Sequence, residues 1–426
     1  MRSKFLVLDA FSGGGGLTEG FIRHSFDFLG HIEMDKYAAT TLETRLLYHQ
    51  LYKSGKGDLY RQYYCGEIER EPFILSAKDE GIEIPPVINK ELSDTTNDAI
   101  IHELKKSLKE DHPGQKVDVI IGGPPCQSFS LAGRGKNGKK PQPHDDPRNY
   151  LYKHYLRFLK EFQPRLFIFE NVPGMISARE GTIFSDVKAG CAEVGYHLDE
   201  KPHFLNASDF GVLQDRKRVI FIGWKKDDKD LSYPEFPPVE RDGIVNDLLR
   251  DLHWHEAGEG GDTLQSYRPG PPSKYLKDKK LRTEDFKGVR HHAARMHNER
   301  DRAIYRIAIE KWDNSSHRLN YDELPPKLRT HENTSSFLDR FKVVNGKGIS
   351  HAILAHLAKD GHYFIHPDLT QARSLTVREA ARIQSFPDDY LFEGPRSAKY
   401  VQIGNAVPPL MAEGIAEKIE RMLRLN

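Results

Sequence analysis

The chain has 426 residues, of which 38% are hydrophobic and 29% charged, and its net charge is +1. This composition predicts a globular protein with a large core, and the absence of a long apolar run or a secretory signal predicts a cytoplasmic protein with no membrane segment. Its three cysteines are widely spaced, with no C-x-x-C pair, so neither a disulfide framework nor a cysteine zinc site is indicated, and a lone reactive thiol is the interesting possibility.

Short apolar runs predict an α/β protein whose strands are buried on both faces of a parallel or mixed sheet. FLVLDAF at 5–11 stops at SGGGG and is followed by a helical pattern, as in the opening unit of a doubly wound sheet. HIEMD at 31–35 ends a second strand. Three more runs, rich in Val, Ile and Phe, are VDVIIGG (117–123), RLFIFENV (165–172) and RVIFIGW (218–224). Because ligands of open α/β sheets bind at the carboxyl ends of the strands, we expect one shared crevice.

The glycines that follow the first run, Gly13 to Gly16, do not have the spacing of a dinucleotide fingerprint in any register. They predict a turn whose backbone can approach a small ligand closely. Glu33 follows about twenty residues later, where a carboxylate can accept hydrogen bonds from ribose hydroxyls. Taken alone, an ordinary turn remains an alternative to a nucleoside site.

Residues 45–115 are predicted to be a polar, partly helical insertion between strands. Cys126 then follows two glycines and two prolines in GGPPCQSFS. A thiol attacks as the thiolate, which a positive or polar surrounding favours, and the Gly-rich segment after it carries several Lys and Arg residues that could close over an anionic substrate. A buried, inert cysteine is the alternative.

Polar residues also end the next two apolar runs. Glu170, in FENVPG, could be held partly protonated by desolvation and act as an acid, or it could be a solvated strand end. Arg216 and Arg218, in QDRKR, are two positions apart, so that one is expected to face the crevice and the other to point outward.

Charge is distributed unevenly in the second half of the chain. Residues 225–263 carry 5 basic and 11 acidic side chains, whereas 271–342 carry 17 basic and 11 acidic ones. A basic block within a near-neutral chain is expected when part of a protein touches phosphate, although a solvated mixed surface is the alternative. The 20 histidines form no recognisable ligand pattern, so no metal is expected.

The C-terminal part is predicted to contain two helices. Thr376 and Glu379 have the spacing of a capping box at the start of the first helix, and a final amphipathic helix follows QIGNAVPP.

Six segments, in this order, resemble the motifs of the DNA (cytosine-5) methyltransferases. They are DAFSGGGGL, GGPPCQSFS, ENVPG, QDRKR, RSLTVREAARIQSFPDDY and QIGNAVPP, which span residues 9 to about 408. The resemblance implies a doubly wound, Rossmann-like methyltransferase sheet with a smaller target-recognition domain. The implied parts are a catalytic domain (1–224), a target-recognition domain (225–372) and a C-terminal segment (373–426) that returns to the catalytic domain.

The resemblance also implies the cofactor S-adenosylmethionine and the site residues. The implied cofactor-binding residues are Phe11, Gly13, Gly15, Leu17, Glu33, Met34, Glu67, Ile68, Pro124, Asn405 and Val407. The implied catalytic residues are Cys126, which would add to C6 of cytosine, with Glu170, Arg218 and Arg216. The implied DNA-binding residues are Gln127, Ser128, Ser130, Arg134, Arg290 and Arg295.

The expected reaction is methyl transfer to C5 of a cytosine flipped out of double-stranded DNA, because a stacked base cannot present C6 to a thiol. We expect a monomer that uses no metal and is paired functionally with a restriction endonuclease. Two alternatives stay open: a transfer-RNA cytosine-5 methyltransferase of the same fold, and a DNA-binding homologue that has lost catalysis.

Overall fold

An eight-stranded mixed sheet is the framework of the molecule, as seen in a computed structural model that describes residues 4–124, 150–228, 230–329 and 338–424. Its strands are β1 (Phe5–Ala10), β2 (Phe26–Ile32), β3 (Val87–Ile88), β4 (Val119–Gly122), β5 (Leu166–Asn171), β6 (Tyr196–His197), β7 (Phe204–Asn206) and β9 (Lys217–Lys225). They lie in the order β3-β2-β1-β4-β5-β9-β6, and β7 also pairs with β9. Neighbours from β3 to β5 are parallel, whereas β9 is antiparallel to β5, β6 and β7.

Four short strands form two further pairs. An antiparallel pair joins β10 (Gln265–Ser266) to β11 (Gly288–Val289). A parallel pair joins β8 (Gln214–Asp215), just before β9, to β12 (Ser350–His351), which comes far later in the chain.

Helices surround the sheet and build the second half of the described chain. They are α1 (Gly16–Phe21), α2 (Lys36–Lys53), α3 (Gly57–Cys65), α4 (Arg70–Asp79), α5 (Asn97–Asp111), α6 (Leu151–Phe162), α7 (Gly174–Ser177), α8 (Thr182–Glu193), α9 (Val245–Leu249), α10 (Lys274–Asp278), α11 (Glu299–Ser315), α12 (Val377–Ile383), α13 (Arg396–Asn405) and α14 (Pro409–Arg424). No helix in the described ranges is long and apolar enough to span a membrane.

The sheet is covered on both faces, which confirms the predicted doubly wound α/β fold. Alternate residues of the same strands belong to two different hydrophobic clusters, as the two-residue period of a strand requires. Ile120 of β4 packs in the cluster that contains α5, α6 and α8, whereas Val119 and Ile121 pack in the cluster that contains α1 and α14. The chain therefore returns from its far end to cover one face of the sheet.

The region predicted as an insertion is integrated into the sheet layer. It starts within α2, contributes the edge strand β3, and ends with α5, which packs on a sheet face. The part that leaves the sheet is the α3–α4 pair, whose aromatic residues form a separate cluster with Phe286 and Leu391. Tyr64 of α3 also donates a hydrogen bond of 2.6 Å to the Asp388 carbonyl oxygen. These helices thus connect the sheet to two later parts of the chain.

The predicted capping box at the start of α12 is present. The Thr376 hydroxyl accepts from the Glu379 amide at 3.2 Å, and the Glu379 carboxylate accepts from the Thr376 amide at 2.7 Å. Glu379 also forms a fully buried ion pair with Arg373, 2.7 Å between Nη2 and Oε1. The start of α12 is therefore fixed both by its cap and by a buried charge pair.

Candidate functional site

The carboxyl ends of β1, β2, β4 and β5 meet at one edge of the sheet, on either side of the β1–β4 boundary. The chain continues from β1 to β2 on one side of this boundary and from β4 to β5 on the other, which makes it the topological switch point. Phe11, Gly13, Glu33 and Pro124 are predicted residues that follow these strands, and Glu170 is the second-last residue of β5. The structure thus brings together the residues that were predicted from separate segments.

Glu33 is bound to the glycine turn after β1. Its Oε2 accepts from the Gly13 amide at 2.7 Å, and its Oε1 accepts from the Asp35 amide at 2.8 Å. Burial raises the pKa of the Glu33 carboxyl, and these two backbone hydrogen bonds oppose that rise. The Asn89 amide donates to the carbonyl oxygens of Glu33 and Met34 at 2.8 and 3.1 Å. The carboxylate is therefore fixed in position at the turn, and the side chain of Met34 is 56% exposed beside it.

The turn itself leaves open space at Gly13. Gly13 has φ of 57°, and a Cβ placed there would meet no atom of the described chain within 4 Å. At Gly15, with φ of 84°, a Cβ would lie 2.7 Å from the Tyr390 hydroxyl oxygen. Leu17 is buried in the core beneath the turn, and Phe11 also adopts a positive φ, of 61°. A small ligand can therefore approach the backbone at Gly13 while Gly15 and Leu17 hold the turn from behind.

Gly122, the last residue of β4, and Gly123 after it are required because three segments of chain pass very close together. A Cβ on Gly122 would lie 1.7 Å from the Ala10 carbonyl oxygen, and one on Gly123 would lie 2.9 Å from Glu170 Oε2. Asn171, which is fully buried, donates from Nδ2 to the Pro124 carbonyl oxygen at 3.2 Å. The backbone two residues before Cys126 is thus anchored to the end of β5. Cys126 itself and the predicted DNA contacts Gln127, Ser128, Ser130 and Arg134 lie outside the described residues.

Glu170 forms an ion pair with Arg218 in the crevice. Arg218 Nε lies 2.7 Å from Glu170 Oε1, and the two side chains are 8% and 15% exposed. The contact is short, but its angle is too bent for a hydrogen bond, so the Nε–H is not committed to a described acceptor. Arg218 is the second residue of β9 and Glu170 the second-last residue of β5. Because these strands pair antiparallel, the sheet itself brings the two side chains together.

Arg216 does not point outward, as had been expected for one of the two arginines. It is fully buried, and its guanidinium donates to the carbonyl oxygens of Ile353 at 2.6 Å and Gly404 at 2.8 Å. Because these donors are used for backbone carbonyls, the structure places Arg216 between two distant segments of chain and Arg218 at Glu170. These contacts give Arg216 a positioning role, and its catalytic role stays a prediction.

The other predicted cofactor residues divide into two groups. Asn405 is exposed at the end of α13, and the Val407 carbonyl oxygen is so close to α1 that a Cβ on Gly16 would lie 2.3 Å from it. Glu67 and Ile68 instead follow α3 and belong to no strand of the sheet. The residue that follows β3 at the sheet edge is Asn89, which the sequence patterns did not identify because β3 has two residues.

The two predicted DNA-binding arginines within residues 225–372 make contacts inside the protein. Arg295 is 8% exposed, and its guanidinium donates to the carbonyl oxygens of Leu357, Ala358 and Lys359. Arg290 donates to the Asp262 and Tyr64 carbonyl oxygens at 2.8 and 3.5 Å. These contacts hold Arg295 against residues 357–359 and Arg290 against α3, and DNA contact by either arginine stays a prediction.

The residues at the turn fit a cofactor that carries hydrogen-bond donors. Gln402 is 5% exposed, and its side-chain amide nitrogen Nε2 donates to the Glu393 carbonyl oxygen at 3.0 Å. Its side-chain oxygen Oε1 has no hydrogen-bond partner among the described residues. This oxygen would lie 3.3 Å from a Cβ on Gly14. A buried acceptor without a donor is costly unless a ligand or water satisfies it. The open space at Gly13, the carboxylate of Glu33 and this oxygen suit a ligand with hydroxyl and amino groups.

Within the part of the chain that the structure describes, no three His, Cys, Asp or Glu side chains are grouped as metal ligands would be. Cys191 is buried in α8, and burial raises the pKa of its thiol to about 12, which makes it an unreactive packing residue.

Known proteins with similar sequences are DNA methyltransferases. A sequence profile described as C-5 cytosine-specific DNA methylase matches residues 82–421. The type II methyltransferase M.Bpa9945I of Bacillus paralicheniformis is 40% identical over 98% of this chain and 99% of its own length. The type II methyltransferase M1.HphI of Haemophilus parahaemolyticus is 29% identical over 99% of this chain and 90% of its own.

Among solved structures, the fold is similar to that of a proposed DNA modification methyltransferase encoded within a prophage of E. coli. The two chains superimpose with a TM-score of 0.65 and 24% identity over 99% of this chain and 100% of that one. The Entamoeba histolytica methyltransferase EhMeth gives a TM-score of 0.53 at 14% identity, with 99% of both chains covered. These two likenesses concern the fold.

Proposed function

The chain belongs to the C-5 cytosine-specific DNA methylase family and is a DNA cytosine-5 methyltransferase, and on this premise we propose how it acts on its substrate. We propose that it transfers a methyl group from S-adenosylmethionine to C5 of a cytosine flipped out of duplex DNA, through a covalent bond between Cys126 and C6. The observation that carries the proposal is the Glu170–Arg218 pair, which lies against Gly123 at the entry to the Cys126 segment.

The cofactor would be held at the glycine turn. S-adenosylmethionine, when bound, supplies an electrophilic methyl group on a sulfonium. Glu33 would accept hydrogen bonds from the ribose hydroxyls, as carboxylates at this position of α/β folds do. Gly13 would allow close approach of the ligand to the backbone, and Gln402 Oε1 would accept from a ligand donor. Asn405, exposed at the end of α13, would bind near the methionine end.

The catalytic residues would raise electron density at C5 of the cytosine. Addition of the Cys126 thiolate to C6 breaks the C5–C6 double bond and makes C5 nucleophilic. Glu170 would hold or protonate N3, and Arg218 would donate to O2, so that both stabilise charge as it develops on the ring. After methyl transfer, loss of the C5 proton and elimination of the thiolate restore the aromatic ring and release Cys126.

The recognition region would read the target sequence, and flipping would present the base to Cys126. Residues 271–342 carry the net positive charge that phosphate contacts require. We propose residues 225–372 as the target-recognition domain, acting in the cytoplasm on double-stranded DNA as a monomer. The names of its relatives favour a place in a restriction-modification system, with an endonuclease of the same specificity. The long recognition region and the PPCQSFS motif favour DNA over transfer RNA.

Replacement of the nucleophile tests the covalent mechanism. A host that carries the wild-type gene on a plasmid is expected to acquire 5-methylcytosine at one sequence, whereas Cys126→Ser should bind the same duplex and transfer no methyl group. Bisulfite sequencing of the plasmid and a tritium-transfer assay on that duplex measure the two results. Methylation by Cys126→Ser at a rate near that of the wild type would exclude the covalent step. Tritium transfer to transfer RNA and not to duplex DNA would exclude the DNA substrate.

A further inference from the structure

Tyr390 closes the back of the glycine turn that follows β1. Its side chain is fully buried, and its hydroxyl donates a hydrogen bond of 2.5 Å to the Gly14 carbonyl oxygen, 376 positions away in the chain. The next amide, that of Gly15, donates to the Ser12 carbonyl oxygen at 3.1 Å. Both polar atoms of the peptide between Gly14 and Gly15 therefore have partners, and one of these partners comes from the C-terminal segment.

The turn depends on such a contact because it consists of four consecutive glycines, Gly13 to Gly16. Glycine has more backbone freedom than any other residue, so the turn is not restricted to one conformation by its own side chains. A Cβ on Gly15 would lie 2.7 Å from the Tyr390 hydroxyl oxygen. The hydroxyl thus occupies the space that a side chain at position 15 would need, and it binds the carbonyl oxygen of the residue before it.

The Tyr390 side chain is itself held in place. Its ring packs against Phe386 and Phe392, with ring centroids 4.7 and 5.0 Å apart, and its backbone carbonyl oxygen accepts from Arg378 Nη2 at 2.8 Å. Burial raises the pKa of the Tyr390 hydroxyl above its ordinary value of 10, so that the group is protonated and can donate at neutral pH. The hydroxyl is therefore a donor with a fixed direction.

A buried ion-pair network connects Tyr390 to α1, the helix that follows the turn. The Arg45 guanidinium donates from Nε and Nη2 to the Glu19 carboxylate of α1 at 2.8 and 2.7 Å, and from Nη1 to Asp389 at 2.8 Å. Its Cζ lies 4.8 Å from the centroid of the Tyr390 ring. Arg45, Glu19 and Asp389 are all buried. Because a bidentate guanidinium–carboxylate pair has a defined geometry, Arg45 fixes residues 389 and 390 relative to α1.

These contacts leave the space at Gly13 free. No atom of the described chain, those of Tyr390 included, lies within 4 Å of a Cβ placed on Gly13. The Gly13 amide donates to Glu33 Oε2, which belongs to the predicted cofactor site. Tyr390 thus contacts the turn at Gly14 and Gly15, next to the open space. A residue in this position shapes a ligand site without occupying it.

We propose that Tyr390 is a positioning residue: its hydroxyl holds the glycine turn in the conformation that S-adenosylmethionine requires. The proposal rests on the proposed function, because it requires that the cofactor binds at this turn. When the turn is ordered before binding, the free energy of binding is not reduced by the entropy lost in ordering four glycines. Loss of the hydroxyl should therefore weaken cofactor binding and leave the chemical step unchanged once the cofactor is saturating.

Tyr390→Phe tests this role because it removes the hydroxyl and keeps the ring. Isothermal titration calorimetry with the full chain is expected to give about tenfold weaker binding of S-adenosylmethionine, which corresponds to about 1.4 kcal/mol. In the tritium-transfer assay, the KM for S-adenosylmethionine should rise by a similar factor, whereas kcat should stay within about twofold of the wild-type value.

Tyr196→Phe is the matched control. Tyr196 is buried on the edge strand β6, and its hydroxyl donates to the Pro164 carbonyl oxygen at 2.7 Å. Each variant loses one buried hydrogen bond from a phenol to a backbone carbonyl, so both should lower the midpoint of urea unfolding by similar amounts. Only Tyr390→Phe should weaken the binding of S-adenosylmethionine.

Amide hydrogen exchange of the ligand-free protein gives a readout that does not depend on the cofactor. Peptides that cover residues 11–21 should exchange faster in Tyr390→Phe than in the wild type or Tyr196→Phe, whereas peptides that cover β5 should not change. Unchanged exchange at residues 11–21, equal cofactor affinities of the two variants, or a large fall in kcat at saturating cofactor would each overturn the positioning role. Absence of S-adenosylmethionine binding to the wild type would instead overturn the proposed function.

Discussion

Arg216 and Arg218 show how two like residues, two positions apart, come to differ in role. The sequence predicts both arginines at the start of a strand. Which one faces Glu170 depends on their partners: Glu170 of β5 pairs with Arg218, whereas the carbonyl oxygens of residues 353 and 404 accept from Arg216. The positions of Glu170, Arg218 and Glu33 at the sheet edge could be predicted because each lies at or next to the end of an apolar strand. The contacts of Arg216 and Arg295 could not be predicted, because their hydrogen-bond partners are backbone carbonyls distant in sequence, which no local pattern reveals.

Replacement of Arg216 separates the positioning role from a catalytic one. Arg216→Gln should lower the free energy of unfolding by about 2 to 4 kcal/mol, because two buried carbonyl oxygens lose charged donors. Urea unfolding followed by circular dichroism measures this change. Full stability combined with a large loss of methyl transfer would instead favour direct catalysis by Arg216.

At the scale of elements, long buried strands and a capped helix were predictable, whereas short or composite elements were not. Five apolar runs predicted β1, β2, β4, β5 and β9 because strands buried on both faces read as continuous hydrophobic sequence. Thr376 and Glu379 predicted the start of α12 because the reciprocal hydrogen bonds of a capping box join residues close together in sequence. By contrast, β3 is formed by Val87 and Ile88 and is specified by its pairing with β2. The polar region around it was therefore interpreted as an insertion.

The close passage of β4 against β1 gives a test of element packing at the crevice. Gly122→Ala would place a methyl group 1.7 Å from the Ala10 carbonyl oxygen at a φ of 143°, which alanine rarely adopts. We expect the free energy of unfolding to fall by more than about 3 kcal/mol or folded protein to be lost. Gly261→Ala is the control, because its methyl group would meet Thr263 Oγ1 at 3.4 Å, an ordinary contact. Near wild-type urea unfolding of Gly122→Ala would contradict the close packing.

At the scale of the whole molecule, the proposed recognition region (residues 225–372) is connected to the C-terminal segment by buried ion pairs and hydrogen bonds. Arg382 pairs with Asp251 and Asp388, and the Arg378 guanidinium donates to the Arg290 carbonyl oxygen. Residues on both sides of position 372 also share one hydrophobic cluster, which contains Leu248 and Ile383. The proposed domain boundary at 372 therefore separates segments that share a core. Exchange of target specificity between relatives should need these contacts to be kept.

Buried neutral histidines make the stability of this shared core depend on pH. Burial lowers the pKa of four histidines to about 4, from an ordinary value of 6.5; they are His292, His297, His351 and His366. They stay neutral in the folded protein, while the unfolded chain binds protons below pH 6.5. Each should therefore lower the free energy of unfolding by about 1.4 kcal/mol per pH unit as pH falls from 6.5 toward 4.

Urea unfolding between pH 7 and pH 4.5 measures this dependence. His292→Gln should reduce the slope below pH 6.5, because the Thr376 hydroxyl and the His253 carbonyl oxygen bind the neutral ring at 3.0 and 2.8 Å. Replacement of the exposed His317 by Gln is the matched control and should leave the slope as in the wild type. A slope that His292→Gln does not alter would show that this ring is protonated within the fold.

The packing of α14 on α1 has a consequence for how the chain is made. A Cβ on Gly20 would lie 2.4 Å from the Ala412 carbonyl carbon, so the two helices touch, and together they cover one face of β1 and β4. At a synthesis rate of about 5 to 20 residues per second, the stretch between β9 and α14 takes roughly 10 to 40 s to emerge. Throughout that time the nascent sheet has one apolar face uncovered, and newly made chains should engage chaperones until their last helix is released from the ribosome.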